Sequence, residues 1–238
     1  MNERLQNIYN WIVFEAGIQP TPDNHFGTIP NITSKLNLCL QQRPIEISST
    51  IDFFLEKKEQ GETLEYYGEI GACAGGTTYA MNNFLNFKEL LIVDDNGSSC
   101  VDYVTHRKNL ERHAILGTIP RVEVIGSSHE SRVIERVKQL TESKKLDILL
   151  IDGDHSYEGV KQDTLSFLPC VRDGGYILFH DTEWHHGIKT WLEEVSLTLP
   201  ILNPVVSFKL SGMPHTSAYP DGIGISIFQK MLAPSGEK

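Results

Sequence analysis

From residue 64 onward the chain repeats one pattern. A short run of near-continuous apolar residues is followed by a polar or glycine-rich break, then by a longer stretch whose apolar residues recur at helical spacing. The runs are 64–71, 89–95, 121–126, 146–153 and 174–181, and the helical stretches between them are 77–85, 104–116, 130–144 and 157–171. Strands that are apolar on both faces and alternate with amphipathic helices predict a parallel sheet covered on both sides. A further helical stretch, 188–199, leads to two last runs, 204–210 and 222–230, which are separated by a loop rich in Gly, Pro and Ser and predict a closing antiparallel pair. The expected fold is therefore α/β and doubly wound, with a mostly parallel seven-stranded sheet formed by residues 63–238.

The first 62 residues follow a different rhythm. Helices are predicted over 3–16 and 44–60, the second with Pro44 at its start and Gly61 just past its end. This helical segment, 1–62, is expected to act as a lid or as the contact of a homo-oligomer. Together with the loop at 211–222 it would shape the pocket of a small-molecule acceptor.

Composition narrows the partners. Among 238 residues, 31 are acidic and 21 basic, for a formal charge of −10. Nothing basic clusters, so nucleic acid is not an expected partner. Cys39, Cys73, Cys100 and Cys170 lie far apart without a CxxC pair, which fits a reducing compartment. No apolar run approaches the roughly 18 residues of a membrane span. The start mixes acidic residues into a short apolar stretch, unlike a signal peptide. A soluble, cytoplasmic protein is the expectation.

In doubly wound sheets ligands bind beyond the carboxyl ends of the strands, and there this chain concentrates its polar residues. The first run ends in Glu69 and the turn through Gly71, Gly75 and Gly76, glycines that allow tight turning and close backbone approach to a ligand. Thr77 or Thr78 can cap the next helix, whose N-terminus favours a carboxylate or phosphate. Cys73 stands where G-x-G-x-x-G needs glycine, so the dinucleotide pattern is not met. Asp94, the first polar residue past the second run, is placed to accept hydrogen bonds from both ribose hydroxyls, whereas Asp95, Asn96 and Gly97 read as turn chemistry. Ser127 or Ser128 can meet an adenine edge, while Ser127 with Glu130 also fits a capping box. The fourth run ends in Asp152, Asp154 and His155 and the fifth in His180 and Asp181. Charged groups at the ends of buried strands call for a partner, a metal or a substrate. Asp154 reads as a cap or a backbone acceptor, His185 and His186 as solvated or capping residues of which one could line the substrate side, and Trp184 and Tyr157 as packing.

In that order, Glu69-Ile70-Gly71 with Gly75-Gly76, Asp94, Gly126-Ser127-Ser128, "IDGDHSYEGVKQD" at 151–163 and "GGYILFHD" at 174–181 resemble a class I S-adenosylmethionine-dependent methyltransferase. More narrowly they resemble the metal-dependent O-methyltransferases of the catechol type and of macrolide and aminocoumarin sugars. The resemblance covers about 64–190. It implies a Rossmann-like methyltransferase fold in which the turn from Glu69 to Gly76, with Thr77, holds the methionine moiety, Asp94 the ribose, and Ser127 and Ser128 the adenine. Asp152 would border the cofactor and, with Asp181, ligate magnesium or manganese, and His155 would be the general base. Where the catechol type has an aspartate and an asparagine, this chain has His180 and Asp181. Histidine suits magnesium poorly, so His180 is either turned away or a third ligand of a softer ion such as manganese or iron.

The residues themselves suit that chemistry. Methyl transfer from a sulfonium is an in-line displacement by an oxygen that must lose its proton. A divalent cation lowers the hydroxyl pKa, and an imidazole accepts the proton near neutral pH. Two other readings compete. A metallohydrolase could use Asp152, Asp154, His155, His180, Asp181 and His185 as a two-metal cluster, but this leaves the glycine turn and Asp94 without a purpose. The other is a non-catalytic module that binds an adenosyl nucleotide.

Overall fold

The computed structural model describes residues 1–19, 29–30, 36, 38, 40, 42–96, 105–208 and 223–232. Cys39, Cys100 and the loop 211–222 lie outside the described residues. The chain opens with α1 (Glu3–Asn10), whose N-cap Asn2 side chain accepts from the Leu5 amide. The helix expected to reach residue 16 changes at Trp11 into a π-helical turn, Trp11–Glu15. A two-residue antiparallel pair, β1 (Ile18–Gln19) with β2 (Ile29–Pro30), was not foreseen from the pattern. Next comes α2 (Pro44–Glu59), starting at Pro44 as its sequence requires, since proline lacks only an amide that the first turn leaves unbonded.

The sheet then winds through β3 (Tyr66–Ile70), α3 (Gly76–Leu85), β4 (Glu89–Asp94), α4 (Thr105–Leu116), β5 (Arg121–Ile125), α5 (Ser131–Leu140), β6 (Leu146–Ile151), α6 (Tyr157–Phe167), β7 (Val171–His180), α7 (His186–Thr198), β8 (Leu202–Phe208) and β9 (Ile225–Lys230). Its order is β5-β4-β3-β6-β7-β9-β8, parallel from β5 to β7 and antiparallel at β9 and β8. The strand order reverses between β3 and β6, the point at which doubly wound sheets open a crevice.

Every residue of β6 is buried, and its side chains alternate between two apolar layers. Ile148 and Leu150 join α1, α2 and α3 through Ile8, Ile47, Ile51, Phe54 and Met81. Leu149 and Ile151 join α5, α6 and α7 through Val137, Phe167, Trp191 and Val195. The indole of Trp191 keeps a partner in this layer, donating to Thr164 Oγ1 at 3.0 Å. The first 62 residues thus supply part of one covering layer. Burying a side chain such as Phe54 or Ile51, both 0% exposed, is worth about 1.5–3 kcal/mol each.

Helix ends differ from the expected ones where local chemistry intervenes. The stretch expected to stay helical to 171 gives way at Leu168–Cys170 to a 3₁₀ turn containing Pro169, and β7 begins at Val171. The β6–β7 register then slips between Leu146 and Ile148, absorbed by Gly174 at φ 75°. No described helix is long and apolar enough to cross a membrane.

Candidate active site

At the reversal point the ends of β3 and β6 touch. Gly71 sits at φ 82°, and a Cβ there would run into the Asp152 carbonyl, so glycine is required. The Asp152 amide donates to Ile70 O and the Gly71 amide to Val93 O, both at 2.9 Å, which fixes three strand ends together. Gly75, at φ 80°, forms the N-cap of α3, and Gly76 is its first residue. Cys73 is left-handed too, at φ 48°, the conformation a glycine would take more easily.

Glu69 does not face the crevice. It is buried, accepts from Tyr67 Oη at 2.8 Å and Thr78 Oγ1 at 2.6 Å, and braces the turn from inside. Burial pushes its carboxyl up to about 7. Thr77 donates from Oγ1 to Gln42 Oε1 at 2.6 Å.

Asp94 ends β4, and its carboxylate is anchored on both oxygens, by the Cys73 amide and the Asn96 amide, each at 2.7 Å. Beneath it lies Arg112, fully buried on α4, donating to Cys73 O at 2.7 Å, Asn96 Oδ1 at 2.8 Å and Glu123 Oε2 at 3.1 Å. Asp94 and Asp95 border a cavity of about 360 Å³ that runs past Gly71 to Ser127, Ser128 and His155. Ser127 makes the local bonds of a turn, accepting from the His129 amide on Oγ while its own amide donates to Glu130 Oε1, both at 3.3 Å. Ser128 and His129 both engage Asp163, a wholly buried carboxyl of α6 that burial raises above the ordinary range. Asp163 closes the motif at 151–163 and His129 follows Ser128, but the sequence assigned neither a role, because it does not show that the two meet.

The second half of the site gathers at the ends of β6 and β7. His155 Nε2 lies 2.8 Å from Asp181 Oδ2 and 3.4 Å from Asp152 Oδ1. His180 Nδ1 lies 3.1 Å from Asp152 Oδ1 and 3.5 Å from Asp181 Oδ1. His185 is the N-cap residue of α7, at the helix start as expected, but its side chain makes no cap bond and instead stacks on His155 at 4.4 Å, with Nε2 3.9 Å from Asp181 Oδ2. Asp181 itself is left-handed at φ 57°, a conformation uncommon outside glycine that recurs at functional sites. Asp154 instead accepts from the Ser156 amide at 2.8 Å, leading into the Ser156 cap of α6, so it serves the backbone as expected. Tyr157 packs on Trp191, also as expected.

Two residues of the N-terminal segment complete the cluster, and no sequence signal pointed to them. Gln42 donates from Nε2 to Asp152 Oδ2 at 3.1 Å while accepting from Thr77, so it links α3 to the carboxylate cluster. Glu46, 1% exposed, accepts on Oε1 from the Gly224 amide at 3.1 Å. Burial raises the pKa of Glu46, and His180 is the leading charge that opposes the rise.

Charge in the cluster is strongly coupled. Burial by itself would lower His155, but the hydrogen bonds and charges of Asp152 and Asp181 outweigh it and raise the imidazole to about 10. Burial likewise works against His180, and the same two carboxylates raise it. Asp181, which burial alone would raise, is held well below the usual carboxylate range by His180 and His155. Burial, with the charge of His155, lowers His185. Asp152, His180 and Asp181 offer three ligand atoms within 4.8 Å of one another, as do His155, Asp181 and His185. Two oxygens with one nitrogen form a donor set that a divalent cation of intermediate softness fits.

Comparison with known proteins agrees with this geometry. Residues 69–182 match the family described as Methyltransferase domain (Methyltransf_24), a span running from the glycine turn to the end of the carboxylate cluster. An uncharacterized protein of Acanthamoeba polyphaga mimivirus, R132, is 28% identical over 144 residues, 59% of each chain, so the match spans less than two thirds of that relative. Among solved structures, an O-methyltransferase from Bacillus cereus in complex with S-adenosylhomocysteine is 12% identical, covers 97% of this chain and 92% of its own, and superposes with a TM-score of 0.52. A Pyrococcus horikoshii protein described as an RNA methyltransferase, PH1948, is 13% identical, covers 97% and 100%, and has a TM-score of 0.54. At such identities these structures speak to the fold alone. Over residues 69–182, just under half of the chain, the sequence is similar to a methyltransferase domain, and the seven-stranded sheet with its turn at the reversal point has the fold of the solved methyltransferases named above.

Proposed function

We propose that the domain transfers a methyl group to a hydroxyl of a sugar or another small polyol-like acceptor, with a divalent cation, magnesium or manganese, at Asp152, His180 and Asp181. The observation that carries this reading is the convergence of Asp152, His155, His180 and Asp181 in one cluster, of which His155 also lines the cavity that Gly71 and Asp94 border. An amine attacks through its lone pair once its ammonium proton is lost and needs no cation to acidify it, whereas a hydroxyl does.

The cofactor would lie along the cavity, with its methionine end over the turn at Gly71, Gly75 and Gly76, its ribose at Asp94 and its adenine near Ser127 and Ser128. The Asp94 carboxylate already holds two backbone amides, which fixes its orientation and aims its remaining lone pairs toward ribose hydroxyls. A divalent cation at the cluster would lower the pKa of an acceptor hydroxyl and neutralise the carboxylates that otherwise hold His155 protonated. With its Nε2–H donated to Asp181, His155, 29% exposed on its side chain, then takes the hydroxyl proton on its other ring nitrogen, Nδ1. The oxygen forms its bond to the methyl carbon as the sulfonium bond breaks, its electron pair passing to sulfur. Asp181 orients the His155 ring throughout, and Gln42 holds Asp152 in place.

The test is incubation with labelled S-adenosylmethionine and a panel of sugars, nucleotide sugars and catechols, with and without chelator. Label in a hydroxyl ether product supports the reading. The second ligand group, which shares Asp181 with the first, favours a two-metal hydrolase as the alternative. Hydrolysis of an ester without consumption of cofactor would select that alternative.

A further inference from the structure

His180 and Glu46 each carry a buried polar atom with no hydrogen-bond partner among the described residues: Nε2 of the one and Oε2 of the other. Both side chains are 1% exposed. His180 already turns its Nδ1 to Asp152 and Asp181, so its Nε2 faces away from the cluster. Glu46 approaches from α2. Its Oε1 is held by the Gly224 amide, one residue before Ile225, which pairs with His180 across the β7–β9 ladder. Of the charges around Glu46, His180 acts on it most strongly. A buried imidazole N–H and a buried carboxylate oxygen left apart are each costly, and each is the other's natural partner.

We propose that Glu46 is the outer carboxylate of the cation site. It takes the Nε2–H of His180 through one water, and so fixes the ring with an unprotonated Nδ1 aimed between Asp152 and Asp181. His180 is then a ligand rather than a residue turned away. The site binds through two carboxylates and one imidazole, and it prefers manganese, iron or cobalt over magnesium. The inference rests on the cation reading above and adds to it the tautomer of His180, the preference among cations and the role of α2. Glu46 acts through His180 and is therefore a positioning residue.

The experiment uses the full chain stripped with chelator, titrated with Mn²⁺ and with Mg²⁺ by calorimetry, beside Glu46→Gln and Glu46→Ala. Wild type should bind Mn²⁺ more tightly than Mg²⁺. Glu46→Ala should weaken Mn²⁺ binding by about 10- to 100-fold, the usual loss when such an outer partner is removed, and Glu46→Gln by less, because the amide oxygen still accepts. Affinity for S-adenosylhomocysteine measured without metal should not move. Because Glu46 also anchors Gly224, the variants could lose their fold. A second measurement on wild type avoids this: ¹⁵N-imidazole NMR with Zn²⁺ added should show His180 metal-bound at Nδ1 and protonated at Nε2. Folded variants with unchanged Mn²⁺ affinity, or an Nε2-bound or unligated His180, would overturn the role of Glu46 while leaving the cation reading in place. A wild-type chain that binds no divalent cation would overturn both.

Discussion

Glu69 shows how a residue can belong to a motif for a reason other than contact with the ligand. It precedes the glycine turn, but its carboxyl is buried against Tyr67 and Thr78 and is raised from 4.5 to about 7. The native state therefore holds this proton longer than the unfolded chain does, so stability falls as pH rises from 4.5 to 7 and this contribution is flat on either side. The loss across that window is roughly 3 kcal/mol. Glu69→Gln should remove this part of the slope, visible as a shallower fall in Tm between pH 4.5 and 7; an identical slope in the variant would mean Glu69 is ionised throughout. Asp94 was legible because its position at a strand end is fixed by the fold. What the sequence could not show is that its carboxylate also pins the turn through the Cys73 amide. Asp94→Ala should accordingly cost about 1–3 kcal/mol in S-adenosylhomocysteine affinity by calorimetry, and unchanged affinity would remove it from the site. For His155, replacement by Gln should lower turnover by roughly 10² to 10⁴ while cofactor affinity stays level. Near-native turnover in that variant would place the base elsewhere. Gln42 and Glu46 were not legible at all. Their partners lie more than a hundred residues away in sequence, and a Gln or Glu at the edge of a predicted helix carries no signal of burial.

Among the elements, the parallel strands were the most readable, because strands covered on both faces are apolar throughout, and β6 with six buried residues is the clearest case. Their helices were readable in kind but not in length. The helix ending at Phe167 was overrun because Leu168, Pro169 and Cys170 continue the apolar spacing while proline tightens the turn. The N-terminal helices were foreseen, but the layer they join was not, since periodicity reports an apolar face without saying what covers it. Ile51, wholly buried on α2 in the layer shared with Ile148 and Leu150, measures how firmly that segment belongs to the sheet. Ile51→Ala should destabilise the chain by about 2–5 kcal/mol in denaturant unfolding, in a single transition. A cost below about 1 kcal/mol, or a separate early transition, would show that α2 is a detachable cover.

At the scale of the whole molecule, the strand order brings together groups scattered through the sequence. The reversal between β3 and β6 opens the cavity, the β6–β7 pairing sets Asp152 beside His180 and Asp181, and α2 seals the cluster from below. One face of the crevice thus suits a cationic sulfonium cofactor and the other a cation and a hydroxyl. The most direct test of this arrangement is methyl transfer from labelled S-adenosylmethionine to a hydroxyl acceptor, measured on chelator-stripped protein before and after a divalent cation is restored, with S-adenosylhomocysteine binding followed in parallel. Turnover should be absent from the stripped protein and return with the cation, while cofactor binding is nearly equal in both. Full turnover in excess chelator, with metal content confirmed near zero, would contradict the account.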